Sequence, residues 1–320
     1  MTYPIFTTGI QVLWRSRDEV QFGVNPQTRI LASAAAADFL IENCSGTKPV
    51  SELLSLAQAE GFDLTSIRSL LARLLENGFL TQRSGESIVE NLQDIEIVIK
   101  GAGRLGTTVA ILLAETGIAN IRIIDSRPVG LADITAWGPS RIDVGMRRDH
   151  TALLLLERTI RGSWPRMLRP HKPVSRRLAI LCPEPIGRTP WFASNIADEL
   201  MAGGQPYLVA STGAEGALVS TVLTPGSTAC VRCYHCRLTD LDHCWPLLSS
   251  QLIGRSGPDL ASARLILHVA HLIVELTIDW LANPEESESG IYSMAWPSLT
   301  SEFSPISAHL ACGCQWDKAG

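Results

Sequence analysis

The chain is short of charge, of lysine and of aromatic side chains. Only 18% of its 320 residues are charged and 6% are aromatic, and arginine outnumbers lysine 23 to 4. The net charge of −5 and a pI near 5.8 give no basic excess, which argues against a general nucleic-acid binder. Met1–Ile10 has neither a basic start nor an apolar core, so no secretory signal is expected. The longest apolar run, Leu265–Leu281, is interrupted by His268, His271, Glu275 and Asp279, and reads as a buried helix rather than a membrane span. The expected compartment is therefore the cytoplasm. Eight cysteines in such a chain suggest metal ligation or free thiols before disulfides. What remains, 46% hydrophobic, is an ordinary globular composition with room for two domains.

The most informative stretch is Ile95 to Asp125. Residues 95–99 are apolar and β-branched, as in a buried parallel strand. Gly101, Gly103 and Gly106 follow at G-x-G-x-x-G spacing, residues 107–116 have helical composition, and Gly117 is placed to end the helix. A second strand, Ile121–Ile124, delivers Asp125 about 20 residues beyond the glycines, the spacing for an acid at a ribose. Glycine permits the tight turn, and the helix start offers unpaired N–H groups to phosphate. Strand, glycines, helix, strand and acid agree on a Rossmann-like βαβ unit.

Residues 1–90 read as a separate small domain. Ile10–Trp14 and Glu19–Val24 alternate around Arg15–Asp18 as a hairpin, and Arg29–Ala32 adds a third strand. Helices are expected over Ala34–Asn43, from Ser51 to Gly61, and over Leu64–Asn77, where Leu64, Ile67, Leu70, Leu71, Leu74 and Leu75 recur at helical spacing. Phe79–Gln82 returns as a strand. That order is a winged-helix arrangement. Through residue 94 there are seven Lys/Arg against eleven Asp/Glu, which leaves little counterion-release energy for DNA. Capture of an extended peptide on the sheet edge beside the third helix is the better reading, with a ligand-free packing domain as the alternative.

After a polar stretch at residues 84–94, residues 91–320 follow an α/β pattern, with parallel strands first and antiparallel ones later. Further helices are expected over Asp149–Arg161, Pro190–Met201 and Pro258–Leu281. Further strands are expected over Leu178–Cys182, Tyr207–Ala210 and Gly216–Leu223. The arginines between Arg141 and Arg188 fit either a solvated face or a dock for an acidic peptide. Cys230-Val-Arg-Cys233 and Cys312-Gly-Cys314 together can form a closed, structural zinc site of four thiolates. A redox pair is less suited, because no helix start is evident at Cys230 and the second pair would go unexplained. Cys236 and Cys244 could compete as ligands, whereas Cys44 and Cys182 read as buried thiols.

Glycine loop, Asp125 and the late C-x-x-C together resemble the ThiF-type fold shared with ubiquitin-activating enzymes. Leu13–Val24, Cys230–Cys233, Thr239–Asp242, Trp245-Pro246 and Ala311–Trp316 resemble, more closely, the ocin-ThiF-like proteins of ribosomal peptide biosynthesis. That resemblance implies a PqqD-like N-terminal domain that binds a precursor's leader, and a partner YcaO cyclodehydratase that makes azolines. It also implies a Rossmann-like ThiF-type domain with a mostly parallel sheet. The expected leader contacts are Arg29, Ile30, Leu31, Ile67, Leu71 and Leu74. ThiF-type activators carry an arginine near the position of Ala136-Trp137, a lysine at that of Arg148, and a magnesium-binding aspartate after the third strand, where only Glu184 could substitute. Those departures point to a vestigial nucleotide site at Gly101, Gly103, Gly106, Asp125 and Arg148, with zinc on Cys230, Cys233, Cys312 and Cys314. The rivals are an adenylating enzyme that still uses ATP and, with less support, a nicotinamide oxidoreductase. A homodimer is suggested by the long apolar helix and by analogy with ThiF-type proteins.

Overall fold

The structure, a computed structural model, describes residues 2–7, 9–84, 95–118, 120–159, 174, 176–284 and 288–314. Most of the expected linker at 84–94, part of the arginine-rich stretch, and the end of the 311–316 motif lie outside these residues. The chain divides into two compact units, Met1–Asn91 and Leu92–Gly320.

In the first unit, β2 (Val12–Trp14), β3 (Glu19–Phe22) and β4 (Ile30–Ser33) form an antiparallel sheet in that order, with β4 on an edge. Three helices follow, α1 (Ala34–Asn43), α2 (Val50–Ala59) and α3 (Leu64–Glu76). Ser33 caps α1 by accepting from the Ala36 N–H, and Asp63 caps α3 by accepting from the Ser66 N–H at 2.9 Å. Val20, Phe22, Ile30, Leu40, Leu53, Ile67, Leu71, Leu74 and Leu80 make one core. Local sequence carries no sign of β1 (Thr2–Phe6), which pairs antiparallel with β5 (Leu80–Ser84). Its partner stands more than 70 residues away, and Pro4 breaks any local strand signal; proline is tolerated here because the pair has only edges.

The second unit is a seven-stranded sheet. Its strands are β6 (Ile95–Lys100), β7 (Ile121–Ile124), β8 (Arg176–Leu181), β9 (Tyr207–Gly213), β10 (Gly216–Ser220), β11 (Gly290–Ala295) and β12 (Ser301–Pro305). Its helices among the described residues are α4 (Arg104–Glu115), α5 (Arg148–Thr159), α6 (Asp198–Ala202), α7 (Val231–Leu241), α8 (Trp245–Ser250) and α9 (Ala263–Ala282). The strand order is β12-β11-β10-β9-β8-β6-β7. Pairings from β7 to β9 are parallel and those from β9 to β12 antiparallel, so the sheet is mixed, with its parallel half built first. Strand period decides the two faces. Leu178 and Ile180 enter one core with α4 and α9, while Ala179 and Leu181 enter a second core with Tyr207 and Cys233. The chain leaves β6 for β7 on one side and returns to β8 on the other. That reversal opens a crevice at the carboxyl ends of β6 and β8.

Two helical expectations change. Only α6 is helical in the segment Pro190–Met201. Before it the backbone is diverted, because the Trp191 N–H donates to Ser211 Oγ and Phe192 is drawn into the core. Likewise α9 starts at Ala263, capped by Ser262, and not at Pro258. α9 has the length and hydropathy of a membrane span, but half of it is buried inside the fold. The apolar stripe that suggests a homodimer is thus spent largely in the chain's own core, through Leu265, Val269, Ile273 and Trp280.

Candidate functional sites

The glycine turn is built by close packing. Gly101 has φ +104°, and a side chain there would collide with the Cys182 carbonyl, as one at Gly106 would with Gly101. Gly103 differs: atoms added to it would meet Glu184 Oε1 at 3.7 Å, Asp133 Oδ1 at 3.8 Å and Arg148 Nη1 at 3.9 Å. The space before the N-terminus of α4, where a phosphate would bind, is therefore furnished with the protein's own charges.

Asp125 is 5% exposed and fully engaged. Its Oδ2 accepts from the Ala102 N–H at 2.8 Å, and Arg127 donates from Nε and Nη2 at 2.8 Å each. Burial alone would raise its pKa, but the Arg127 and Ala102 hydrogen bonds outweigh burial and hold the carboxyl below its ordinary value. The acid expected at a ribose is thus paired with Ala102 and Arg127 of its own fold. Arg148 opens α5, donating from Nε to Asp133 Oδ2 at 2.9 Å and from Nη1 to Glu184 Oε1 at 2.5 Å. Arg127 also reaches Glu184 at 3.0 Å. Trp137, where the resemblance places an arginine, gives its indole N–H to Thr108. Arg104 holds the segment before α9 across the turn, through the Ala261 carbonyl at 2.8 Å and Asp259 at 3.4 Å. The space left is about 80 Å³. Small-molecule sites run to roughly 300–1,000 Å³.

Sequence reasoning missed Arg127 and Asp133. Arg127 stands only two residues past the marked Asp125, a signal within reach. Asp133 was hidden because its role depends on a short 3-10 turn in which it also accepts from the Gly130 N–H at 2.7 Å.

The four cysteines named from sequence come together. The sulfurs of Cys230, Cys233, Cys312 and Cys314 all lie within 4.8 Å of one another. Cys230–Cys233 is 3.8 Å, Cys230–Cys312 3.5 Å and Cys233–Cys314 3.4 Å. A tetrahedral ion with Zn–S bonds of about 2.3 Å would set its sulfurs about 3.8 Å apart, so the donor set fits zinc. The His309 N–H donates to Cys233 Sγ at 3.3 Å, a further prop for a thiolate. Cys230 is the N-cap of α7, which removes the objection that the pair lacks a helix start. Redox chemistry is opposed instead by the gathering of all four sulfurs. Cys236 and Cys244 do not belong to the group. Cys44 and Cys182 are inert in the expected way, burial pushing each thiol up to about 12.

The peptide-contact residues separate. Ile30, Ile67, Leu71 and Leu74 are at most 4% exposed and pack within the first unit's own core, so they present little or no surface to a ligand. Arg29 is exposed and Leu31 half-buried. A groove of about 480 Å³ does lie between β4 and α3, but its floor and walls come from Leu31, Ala32, Phe62, Ser66, Ser69, Leu70 and Arg73, with Ile67 at its base. The face is one turn-position away from the expected one: positions 66, 69, 70 and 73 border the groove, whereas 71 and 74 turn inward.

No family model and no curated protein matches the chain. Among solved structures it is similar to the microcin C7 biosynthetic enzyme MccB in complex with N-formylated MccA, at 16% identity and a TM-score of 0.64 over 98% of this chain and 100% of that one. E. coli MccB with ATP aligns at 15% identity and a TM-score of 0.63, covering 98% of this chain and 99% of that one. The heterocyclase TruD aligns at 13% identity and a TM-score of 0.51 over 98% of this chain and 43% of TruD. At these identities the comparison establishes a shared fold, and it supports the ThiF-like α/β architecture.

Proposed function

We propose that the chain binds the leader of a ribosomally made precursor peptide and presents it to a separate YcaO-type cyclodehydratase, without catalysing a reaction itself. The observation that carries this reading is the groove beside the free edge of β4, where an extended segment can add main-chain hydrogen bonds and place side chains along α3. In this reading residues 1–90 are a winged-helix, PqqD-like recognition domain, and residues 91–320 are a scaffold with structural zinc on the four cysteines. The protein works in the cytoplasm, and neither nucleic acid nor membrane is its partner. Similarity in fold to the microcin C7 biosynthetic enzyme MccB solved with N-formylated MccA, and to the heterocyclase TruD, supports the assignment to peptide modification.

The second reading, adenylation of a peptide carboxylate, draws on the glycine turn and on the MccB structure solved with ATP. Against it stand the self-paired charges and the small space at that turn. Calorimetric titration of the full chain with its leader, and with ATP and magnesium, separates the two. Micromolar leader binding with no pyrophosphate or ADP released from ATP is expected. Leader-stimulated pyrophosphate release, abolished by Asp125→Ala, would establish the adenylating enzyme instead.

A further inference from the structure

A cavity of about 390 Å³ lies where the end of α9 meets β11 and β12, in the second unit and lined by none of the glycine-turn or cysteine-cluster residues described above. Its lining includes Trp280, Tyr292 and Phe303, with the last two rings 4.8 Å apart between centroids. The aromatic wall is built into the fold, because any side chain at Gly290 would strike the Phe303 ring. Asp279 and Glu288 also line the cavity and are exposed. Among the described residues neither carboxylate has an ion pair or a side-chain hydrogen bond. A third feature is independent of charge. Trp280 is 5% exposed, and its Nε1–H, itself shielded from solvent, finds no acceptor among the described residues, so its ring borders the cavity while its N–H does not open into it. Buried indole N–H groups ordinarily have one.

We propose that this cavity binds an arginine residue of a peptide. A planar guanidinium suits both halves of the lining, stacking on aromatic faces while offering forked donors to carboxylates. Two unpaired carboxylates disfavour anionic ligands such as phosphates or peptide C-termini. A purely apolar ligand would leave the two acids without a partner. The proposal stands apart from the leader groove, which belongs to the other unit, so either can fail without the other.

The test uses the full chain labelled with 15N at its eight tryptophan indoles. The Trp280 signal is assigned by its loss in Trp280→Phe. Titration with N-acetyl-arginine-N-methylamide is expected to move that signal at millimolar concentrations. N-acetyl-citrulline-N-methylamide, the uncharged isostere, should bind at least tenfold more weakly. The double variant Asp279→Asn/Glu288→Gln, both positions exposed, should lose at least tenfold in affinity with an unchanged melting temperature. An unmoved Trp280 signal, equal binding of the citrulline compound, or unchanged affinity in the double variant would each overturn the assignment.

Discussion

Arg148 donates to Glu184 across 2.5 Å at the mouth of the glycine turn, so the position that would greet a phosphate already holds an anion and its counterion. Asp133, Arg127 and Asp125 complete the arrangement. Removing only the cation should be costly. Arg148→Met is expected to destabilise the chain by about 3–5 kcal/mol, because Asp133 and Glu184 lose a largely buried partner. Urea unfolding measures this; a loss under about 1 kcal/mol, the range of exposed pairs, would mean the network is ornamental.

Removing the resident anion should have a different effect. Glu184→Gln keeps the shape and removes an anion that Arg127 and Arg148 share, while each keeps its own aspartate, Asp125 and Asp133. Inorganic pyrophosphate should then raise the melting temperature of the variant and leave that of the parent chain unchanged. An equal response of parent and variant would show that Glu184 does not occupy the anion position.

Asp125 makes stability depend on acid. Its carboxyl is held below the ordinary value of 3.8, so the stabilisation it gives is fully present above that pH. It is lost as pH falls through the folded-state value. Asp125→Asn should lower stability at pH 7 and flatten the decline of stability below about pH 4. A decline in the variant as steep as in the parent would assign the acid sensitivity to other groups.

The parts of this chain that were legible in sequence are those where one local rule decides. β7 ends where the apolar run ends at Ile124, and the glycines are demanded by contacts with Cys182 and Gly101 that only a bare backbone allows. The cysteines could be paired because few chemistries gather two close pairs. What stayed hidden depends on partners far along the chain. β1 is a strand only because Leu80–Ser84 comes beside it, and 190–197 is not a helix because Ser211 and the core claim its backbone and Phe192. The identity of α3's outward face was hidden for the same reason, since helical periodicity marks an apolar stripe without telling core from groove.

Zinc can be tested by its removal. The parent chain should carry about one zinc per molecule, and Cys233→Ser or Cys312→Ser should lower zinc content and melting temperature together. Cys236→Ser, outside the cluster, is the control and should leave zinc unchanged. A chelated chain with the same melting temperature as the zinc-loaded one would remove any structural role for the metal.

The leader groove makes the last prediction, and the two faces of α3 give it an internal control. Leu71 is 4% exposed and packed in the first unit's core. Leu71→Asp buries a charge with no partner and removes a large apolar group, a loss of at least about 3 kcal/mol. It should therefore abolish leader binding by unfolding the unit, which says nothing about the groove. Ser69 is exposed and borders the groove beside Leu70 and Arg73. Ser69→Trp should fill the channel while leaving the core untouched, so leader affinity should fall at least tenfold with the melting temperature unchanged. Glu76→Trp, exposed at the end of α3 and not part of the groove lining, should bind as the parent does. Native affinity in Ser69→Trp would move the leader off this face, and with it the case for reading residues 1–90 as the recognition domain.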